Sequence, residues 1–352
     1  MSVPTLDLDG HRVGPGNAPF VIAEIGVNHN GDPELARQLI DAAADVGADA
    51  VKLQAFRADE LARPDAPQAA YQQDRAASAS QLEMLRSLEL TSAAMRSLAA
   101  HAAARSITFF ASPFDLPSVA LLEELRVPII KIGSGDVTNV FLLRAAAALG
   151  RPVILSTGMS EIGEVDAAVE TLRSAGCASL VVLQCTSSYP APVEEANLRV
   201  LATLRDRYEV VVGYSDHTVG TTTAIAAVAL GASVIEKHLT LDNSLRGPDH
   251  AASLDVGAFA TYVTSIRDAY AALGSADKQV SPAELDVRKV ARRSLVLRDD
   301  LARGIVLEAR HLDARRPADG ISPASLDEVL GRRLARDVVA GAALLHEDLE
   351  PR

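Results

Sequence analysis

From Phe20 to Leu273 one pattern recurs. A short apolar run of β type ends in a few polar or glycine residues, and a helical run with an apolar stripe follows. The β runs read PFVIAEIG at the start, then AVKLQAF (50–56), ITFFASPF (107–114), PIIKIGSG (128–135), PVILSTGM (152–159), LVVLQCT (180–186), VVVGYSD (210–216) and SVIEKHLTL (233–241). Helical runs fall after Asp32 and near 91–105, 117–126, 139–149, 161–175, 195–206, 219–230 and 256–272. Strands that are apolar on both faces and alternate with helices belong in a parallel sheet covered on both sides. Eight such units predict an α/β fold, a closed (β/α)8 TIM barrel. An open doubly wound sheet would need a G-x-G-x-x-G turn after the first strand, which this chain lacks.

The first helix is marked at both ends. Asp32 stands at its N-cap and Pro33 at its first position. Leu35, Leu39, Ala43 and Val46 form its stripe, and Gly47 ends it. The residues before Phe20 read as a short strand and a turn. The polar stretch 57–90 follows the second strand on the side where barrel enzymes carry their sites, and is expected to act as a lid or a dimer contact.

A polar linker follows the barrel, after which the pattern changes to short β runs and turns with one short helix. The expected domains are 1–273 (barrel), 274–287 (linker) and 288–352 (a small module). Within the module, DDLARGIVLEARHL (299–312) and RDVVAGAALLHEDL (336–349) resemble each other and suggest a half-repeat. A module this small has a marginal core of its own and is expected to dock on the barrel or on a partner chain.

Net charge is −12, and all of the excess lies before Arg288, which argues against nucleic acid as a partner. No apolar run approaches the length of a membrane span. The N-terminus lacks the basic and apolar segments of a secretory signal. Two cysteines, Cys177 and Cys185, do not make a disulfide framework, so a reducing cytoplasm is the expected setting.

Polar residues at strand C-terminal ends point into one site in a barrel. Here those ends carry Glu24, Asn28, His29, Lys52, Gln54, Ser112, Lys131, Ser134, Asp136, Ser156, Thr157, Gln184, Thr186, Ser187, Tyr189, Ser215, Asp216, His217, Glu236, Lys237, His238 and Asp249. Lys52, Lys131, Ser134 and Ser156 suit a phosphate plus a carboxylate. The alternative is a structural network in which the lysines pair with Glu24 and Asp136. His217 and His238 end adjacent strands, which lie roughly 5 Å apart. Two imidazoles there could face one divalent ion and leave coordination positions open. Hydrogen-bonded core histidines are the bland alternative. Lysines at strand ends also admit a Schiff-base aldolase or lyase using Lys131 or Lys52, and the small module alone admits a non-catalytic sugar-binding protein.

The strings AEIGVNHNG, VKLQAF, SPF, KIGSGD, LSTGM, CTSSYPAP, GYSDHT, EKHLTL and GPDHAASL, in this order, resemble the sialic acid synthase family of phosphoenolpyruvate-dependent nonulosonate synthases. RRSLV and RRPADGI resemble the antifreeze-like (SAF) module that follows the barrel in that family. The resemblance implies condensation of phosphoenolpyruvate with the open-chain aldehyde of an N-acetylmannosamine-type sugar and release of phosphate. A 2,4-diacetamido-6-deoxyhexose of the legionaminic or, further off, the pseudaminic branch is the alternative substrate. It further implies a divalent metal on His217 and His238, Mn2+ before Mg2+ or Co2+. Lys52, Ser112, Lys131, Ser134, Ser156 and Ser215 would hold phosphoenolpyruvate. Glu24, Gln54, Ser187, Tyr189 and Asp249 would hold the sugar. Glu24 and Asp136 would serve as proton-transfer or stabilising carboxylates beside the catalytic lysines. Arg316 would reach the N-acyl group from the partner of a domain-swapped homodimer. Asp136 stands where many members carry Glu, and Ser187 where some carry Asn.

Overall fold

The structure, a computed structural model, describes residues 4–67 and 80–351. The chain divides into two compact units, 1–274 and 275–352. Part of the expected lid, residues 68–79, lies outside the described residues.

In the first unit eight parallel strands close into a barrel. They are β3 (Phe20–Gly26), β4 (Ala50–Ala55), β5 (Thr108–Pro113), β6 (Ile130–Ile132), β7 (Val153–Ser156), β8 (Leu180–Cys185), β9 (Val211–Asp216) and β10 (Val234–His238), with β10 pairing back onto β3. A short side chain begins one helix after another. Asp32 caps Pro33–Asp45, Thr91 caps Ser92–Ala104, Asp115 caps Leu116–Glu124, Asn139 caps Val140–Ala148 and Asp255 caps Val256–Leu273. Asp32, Asp115 and Asn139 end short loops at the barrel mouth, whereas Thr91 and Asp255 end the long connections that follow β4 and β10.

The preceding segment is an antiparallel hairpin, β1 (Leu6–Leu8) with β2 (His11–Val13). Leu8 and Val13 are fully buried in the barrel core. Thr108, the first residue of β5, donates to Asp9 Oδ2 at 2.8 Å. The hairpin therefore covers the N-terminal end of the barrel and leaves the C-terminal end for chemistry.

Two expected elements are shorter than their apolar runs. The run 128–135 forms only β6, because Pro128 has no N–H to give a ladder and Ser134–Asp136 turn into a 3-10 helix. The helix expected from residue 195 starts at Val200. Asn197 sits in the left-handed region at φ 46°, which breaks the helical path after a 3-10 turn at Val193–Glu195.

The second unit has a core of its own that includes Leu295, Leu297, Leu307, Leu312, Ile321, Leu334, Leu344 and Leu349. β11 (Ser294–Leu297) pairs antiparallel with β12 (Leu312–Arg315). The half-repeat is a pseudo-twofold arrangement of the backbone. Leu301 and Val338, equivalent in the two phrases, exchange both backbone hydrogen bonds at 2.9 Å. Asp337 accepts from the Arg303 N–H and Asp300 accepts from the Ala340 N–H, each at 2.7 Å. A helix over Leu285–Ala291 runs from the end of the expected linker into the expected module and leaves Leu285, Val287 and Val290 exposed.

Candidate active site

Alternate residues of a strand face opposite sides of the sheet, so each barrel strand sends inward residues near its C-terminal end into one cavity. Glu24, Lys52, Ser112, Lys131, Ser156, Cys185, Ser215 and Glu236, one from each of the eight strands, line a single space of about 500 Å³. Gln54, Ser134, Ser187, Tyr189, His217, His238 and Asp249 line the same cavity.

The floor is a buried charge network. Lys52 contacts Glu24, donates to Ser112 Oγ at 3.1 Å, and lies 3.9 Å from Glu236. Lys131 Nζ donates to Glu236 Oε1 at 3.1 Å, and Ser215 Oγ donates to the same oxygen at 3.0 Å. Burial alone would raise the pKa of Glu236, but Lys131 and Lys52 outweigh it and hold the group at about 2. Glu24 goes the other way. Burial and the charge of Glu236 push it above the usual carboxylate range in spite of Lys52. The two floor carboxylates are therefore unequal, one firmly ionised and one poised to carry a proton. Burial lowers Lys131, with Lys52 adding repulsion.

At the rim, the His217 and His238 ring centroids lie 5.4 Å apart, with the Tyr189 ring 4.2 Å from that of His217. His217 Nδ1 is 2.8 Å from the Thr186 carbonyl oxygen. In the neutral ring, donation to that carbonyl leaves Nε2 with a free lone pair. Burial, then His217 and Lys52, hold His238 well below the usual histidine range, so its ring is neutral. His238 Nδ1 and Ser156 Oγ are buried without a hydrogen-bond partner. Asp249 lies 3.9 Å from His238, and burial raises its pKa to about 6. Among the described residues no group of three or more His, Cys, Asp or Glu side chains is arranged to hold a metal ion.

Two glycines are dictated by closeness. Gly26 has φ +57°, and a Cβ there would come 2.9 Å from Glu24 Oε1. A Cβ on Gly158 would come 2.3 Å from Ser187 Oγ.

Several strand-end residues face elsewhere. Asp136 does not line the cavity: its carboxylate accepts from the Asn139 amide at 2.9 Å within the turn after β6. The lysines pair with Glu24 and Glu236, so the second carboxylate of the floor is Glu236, which carried no assigned role. Asp216 and Lys237 point outward, into the helical layer, and pair at 3.5 Å. Gln184 donates to the Ala196 carbonyl and Asn28 to the Leu239 carbonyl. Arg316 is exposed in the second unit. One wall comes from the 57–90 stretch expected as a lid or a dimer contact, through apolar residues that carried no assigned role. The helix Gln81–Leu88 supplies Met84, Leu85 and Leu88, which line the cavity beside Val27 and Phe114. Ser80 as its cap and the spacing of Leu82, Leu85 and Leu88 were the available signals within a stretch that looked polar overall.

The sequence matches the NeuB family over residues 39–278 and the SAF domain over residues 292–350. The chain belongs to the NeuB family. It is 44% identical to an N,N'-diacetyllegionaminic acid synthase of Legionella pneumophila, over 94% of each chain. It is also 44% identical to an N,N'-diacetyllegionaminic acid synthase of Campylobacter jejuni, over 89% of this chain and 95% of that one. A solved N-acetylneuraminic acid (sialic acid) synthetase of Leptospira borgpetersenii, in complex with citrate, superimposes with a TM-score of 0.73 at 35% identity. The match covers 81% of this chain and 95% of that one. Among the described residues no helix is long and apolar enough to cross a membrane.

Proposed function

We infer that this NeuB-family chain condenses phosphoenolpyruvate with the open-chain aldehyde of an N-acyl aminosugar and water, giving a nonulosonate and phosphate. The observation that carries this reading is one cavity holding two buried lysines, an unpartnered Ser156 hydroxyl and a two-imidazole rim. Lys52 and Lys131 would receive the phosphate and carboxylate, with Ser112, Ser134, Ser156 and Ser215 as neutral donors. The two relatives at 44% identity favour a 2,4-diacetamido-6-deoxyhexose over N-acetylmannosamine as the aldehyde.

The rim fits a divalent cation with open positions. His217 has its Nδ1 engaged and Nε2 free, and His238 is neutral with an orphaned nitrogen. A bound ion, Mn2+ in the first instance, would polarise the aldehyde oxygen. Carbon 3 of phosphoenolpyruvate then attacks the aldehyde carbon, and the electron deficiency appears at carbon 2. Glu236, fully ionised, stands in the floor to stabilise that positive charge. Glu24, whose raised pKa lets it carry a proton, would give that proton to the new alkoxide oxygen and then, as the carboxylate, take one from the water that adds at carbon 2. The tetrahedral adduct breaks its bond to the phosphate oxygen, and Lys52 and Lys131 stabilise the departing phosphate. Gln54, Ser187, Tyr189 and Asp249, higher in the cavity, would orient the sugar. Lys131 held against Glu236 disfavours a Schiff base.

In this reading Arg316 belongs to the sugar site of a second copy, in a domain-swapped homodimer. The exposed Leu285, Val287 and Val290 on the helix Leu285–Ala291 support such an assembly. The test is phosphate release from phosphoenolpyruvate with N-acetylmannosamine and with 2,4-diacetamido-6-deoxyhexoses, with and without Mn2+. Metal-stimulated release with one sugar supports the reading. No release with any of them refutes it, and borohydride trapping of Lys131 with substrate would establish a lyase in its place.

A further inference from the structure

Behind the two histidines, on the outer side of the barrel wall, lies an enclosed ion pair. Asp216 of β9 and Lys237 of β10 stand opposite each other in the ladder, with Lys237 Nζ 3.5 Å from Asp216 Oδ2. Neither side chain is exposed to solvent. Each is the chain neighbour of one rim histidine, since Asp216 precedes His217 and Lys237 precedes His238.

The hydrogen bonds bracket His217. Asp216 Oδ1 accepts from the Thr218 N–H and from Thr218 Oγ1, both at 2.8 Å, so residues 216–218 form a turn with His217 at its apex. Asp216 Oδ2 accepts from the Tyr262 hydroxyl at 2.9 Å. Lys237 Nζ donates to the Thr218 carbonyl, and its charge lies 5.8 Å from the centre of the Tyr262 ring. The turn that carries one histidine is thus tied to the residue next to the other histidine.

Stability does not account for this pair. Enclosing two ions costs several kcal/mol each, and apolar side chains of similar volume often do as well or better there. What an enclosed pair supplies is registry between the elements that carry it. Neither group lines the cavity, so neither touches a substrate.

We propose that the Asp216–Lys237 pair is a positioning device that sets the spacing of His217 and His238 and so the affinity of the rim for a divalent cation. The inference rests on the reading of these histidines as cation ligands. It is tested on the full chain by titrating Mn2+ and following the free-ion paramagnetic resonance signal. Phosphoenolpyruvate binding is measured in parallel by calorimetry in metal-free buffer. The double variant Asp216→Asn with Lys237→Met removes both charges together. It is expected to bind Mn2+ roughly 10–100-fold more weakly, the range for outer-shell partners of metal ligands, with phosphoenolpyruvate affinity within about twofold of wild type. Tyr262→Phe removes one hydrogen bond to Asp216 and is expected to weaken Mn2+ binding by a smaller factor; it carries the test if the double variant does not fold. Wild-type Mn2+ affinity in the folded variant overturns the proposal, as does an equal loss of Mn2+ and phosphoenolpyruvate binding, which would mark a merely structural role. Wild-type protein that binds phosphoenolpyruvate but has no saturable Mn2+ site overturns the two-histidine reading, and the positioning role with it.

Discussion

Lys131 Nζ and Glu236 Oε1 meet at 3.1 Å across the barrel mouth, joining β6 to β10 inside the cavity. This contact has a structural part and a functional part that can be separated. Lys131→Met leaves a buried carboxylate with half its cationic support, and loss of one partner of a buried pair costs about 3–5 kcal/mol. Adding Glu236→Gln removes the stranded charge and should recover most of that stability. It should not recover phosphoenolpyruvate binding, because the cation is still missing. Chemical denaturation and calorimetry on the two variants check both halves.

His217→Ala removes one of the two imidazoles of the rim without touching the lysine floor. Metal-stimulated phosphate release should fall on the order of a thousandfold, the several kcal/mol a Lewis acid contributes at a carbonyl. Circular dichroism and phosphoenolpyruvate binding should stay close to wild type. Undiminished metal stimulation would sink the assignment of His217.

The barrel was legible because its strands are apolar on both faces, a pattern that few other arrangements tolerate. Its site was only partly legible, for a geometric reason. A strand end shows in the sequence as a set of polar residues, while the side chain of each residue alternates in or out. Glu236 and Lys237 are neighbours in one strand, yet the first stands on the cavity floor and the second in the helical layer. Of the two carboxylates offered as structural partners of the lysines, Glu24 pairs with Lys52, but the chain leaves the strand at Ser134 and turns the Asp136 carboxylate to Asn139. The apolar wall from Gln81–Leu88 was hidden inside a stretch whose average composition is polar.

That wall makes a specificity prediction. Leu85 is half-buried at the cavity edge beside Met84 and Leu88. Acetyl and deoxy methyl groups gain from such a surface, and a hydroxymethyl group gains less. Leu85→Asn should lower kcat/KM for the 2,4-diacetamido-6-deoxyhexose relative to N-acetylmannosamine by about tenfold, the scale of one or two methyl contacts. An unchanged ratio would mean that the wall does not touch the sugar.

His29 gives the chain an acid-sensitive element outside the cavity. Its ring is buried, its Nδ1 accepts from the Gly31 N–H at 3.0 Å, and burial pushes its pKa down to about 4 from the usual 6.5. The unfolded chain binds this proton below about pH 6.5, whereas the folded chain resists it until about pH 4. Folding stability should therefore fall as the pH drops through this window, by about 3 kcal/mol in total. His29→Asn keeps an acceptor near the Nδ1 position and does not titrate. Denaturation midpoints between pH 7 and 4 should fall less steeply in the variant, and equal slopes would remove His29 as the cause.

The last prediction concerns the second unit. A chain ending at Ala276 keeps all eight strands, their ladder and the cavity lining, since each of these lies within the first unit. It should fold and bind phosphoenolpyruvate like the full chain. If Arg316 of a second copy completes the sugar site, the truncated chain should lose most of its kcat/KM for the sugar. Arg316→Ala in the full chain should then raise the sugar KM with little change in that for phosphoenolpyruvate. Within the second unit, the residues that follow Arg316 are held by Ser294. Ser294 Oγ donates to the Pro317 carbonyl at 2.8 Å and accepts from the N–H groups of Asp319 and Gly320 at 3.0 and 2.8 Å. Full activity in the truncated chain would refute the cross-subunit contact. An effect of Arg316→Ala confined to phosphoenolpyruvate would move this residue from the sugar to the anion end of the cavity.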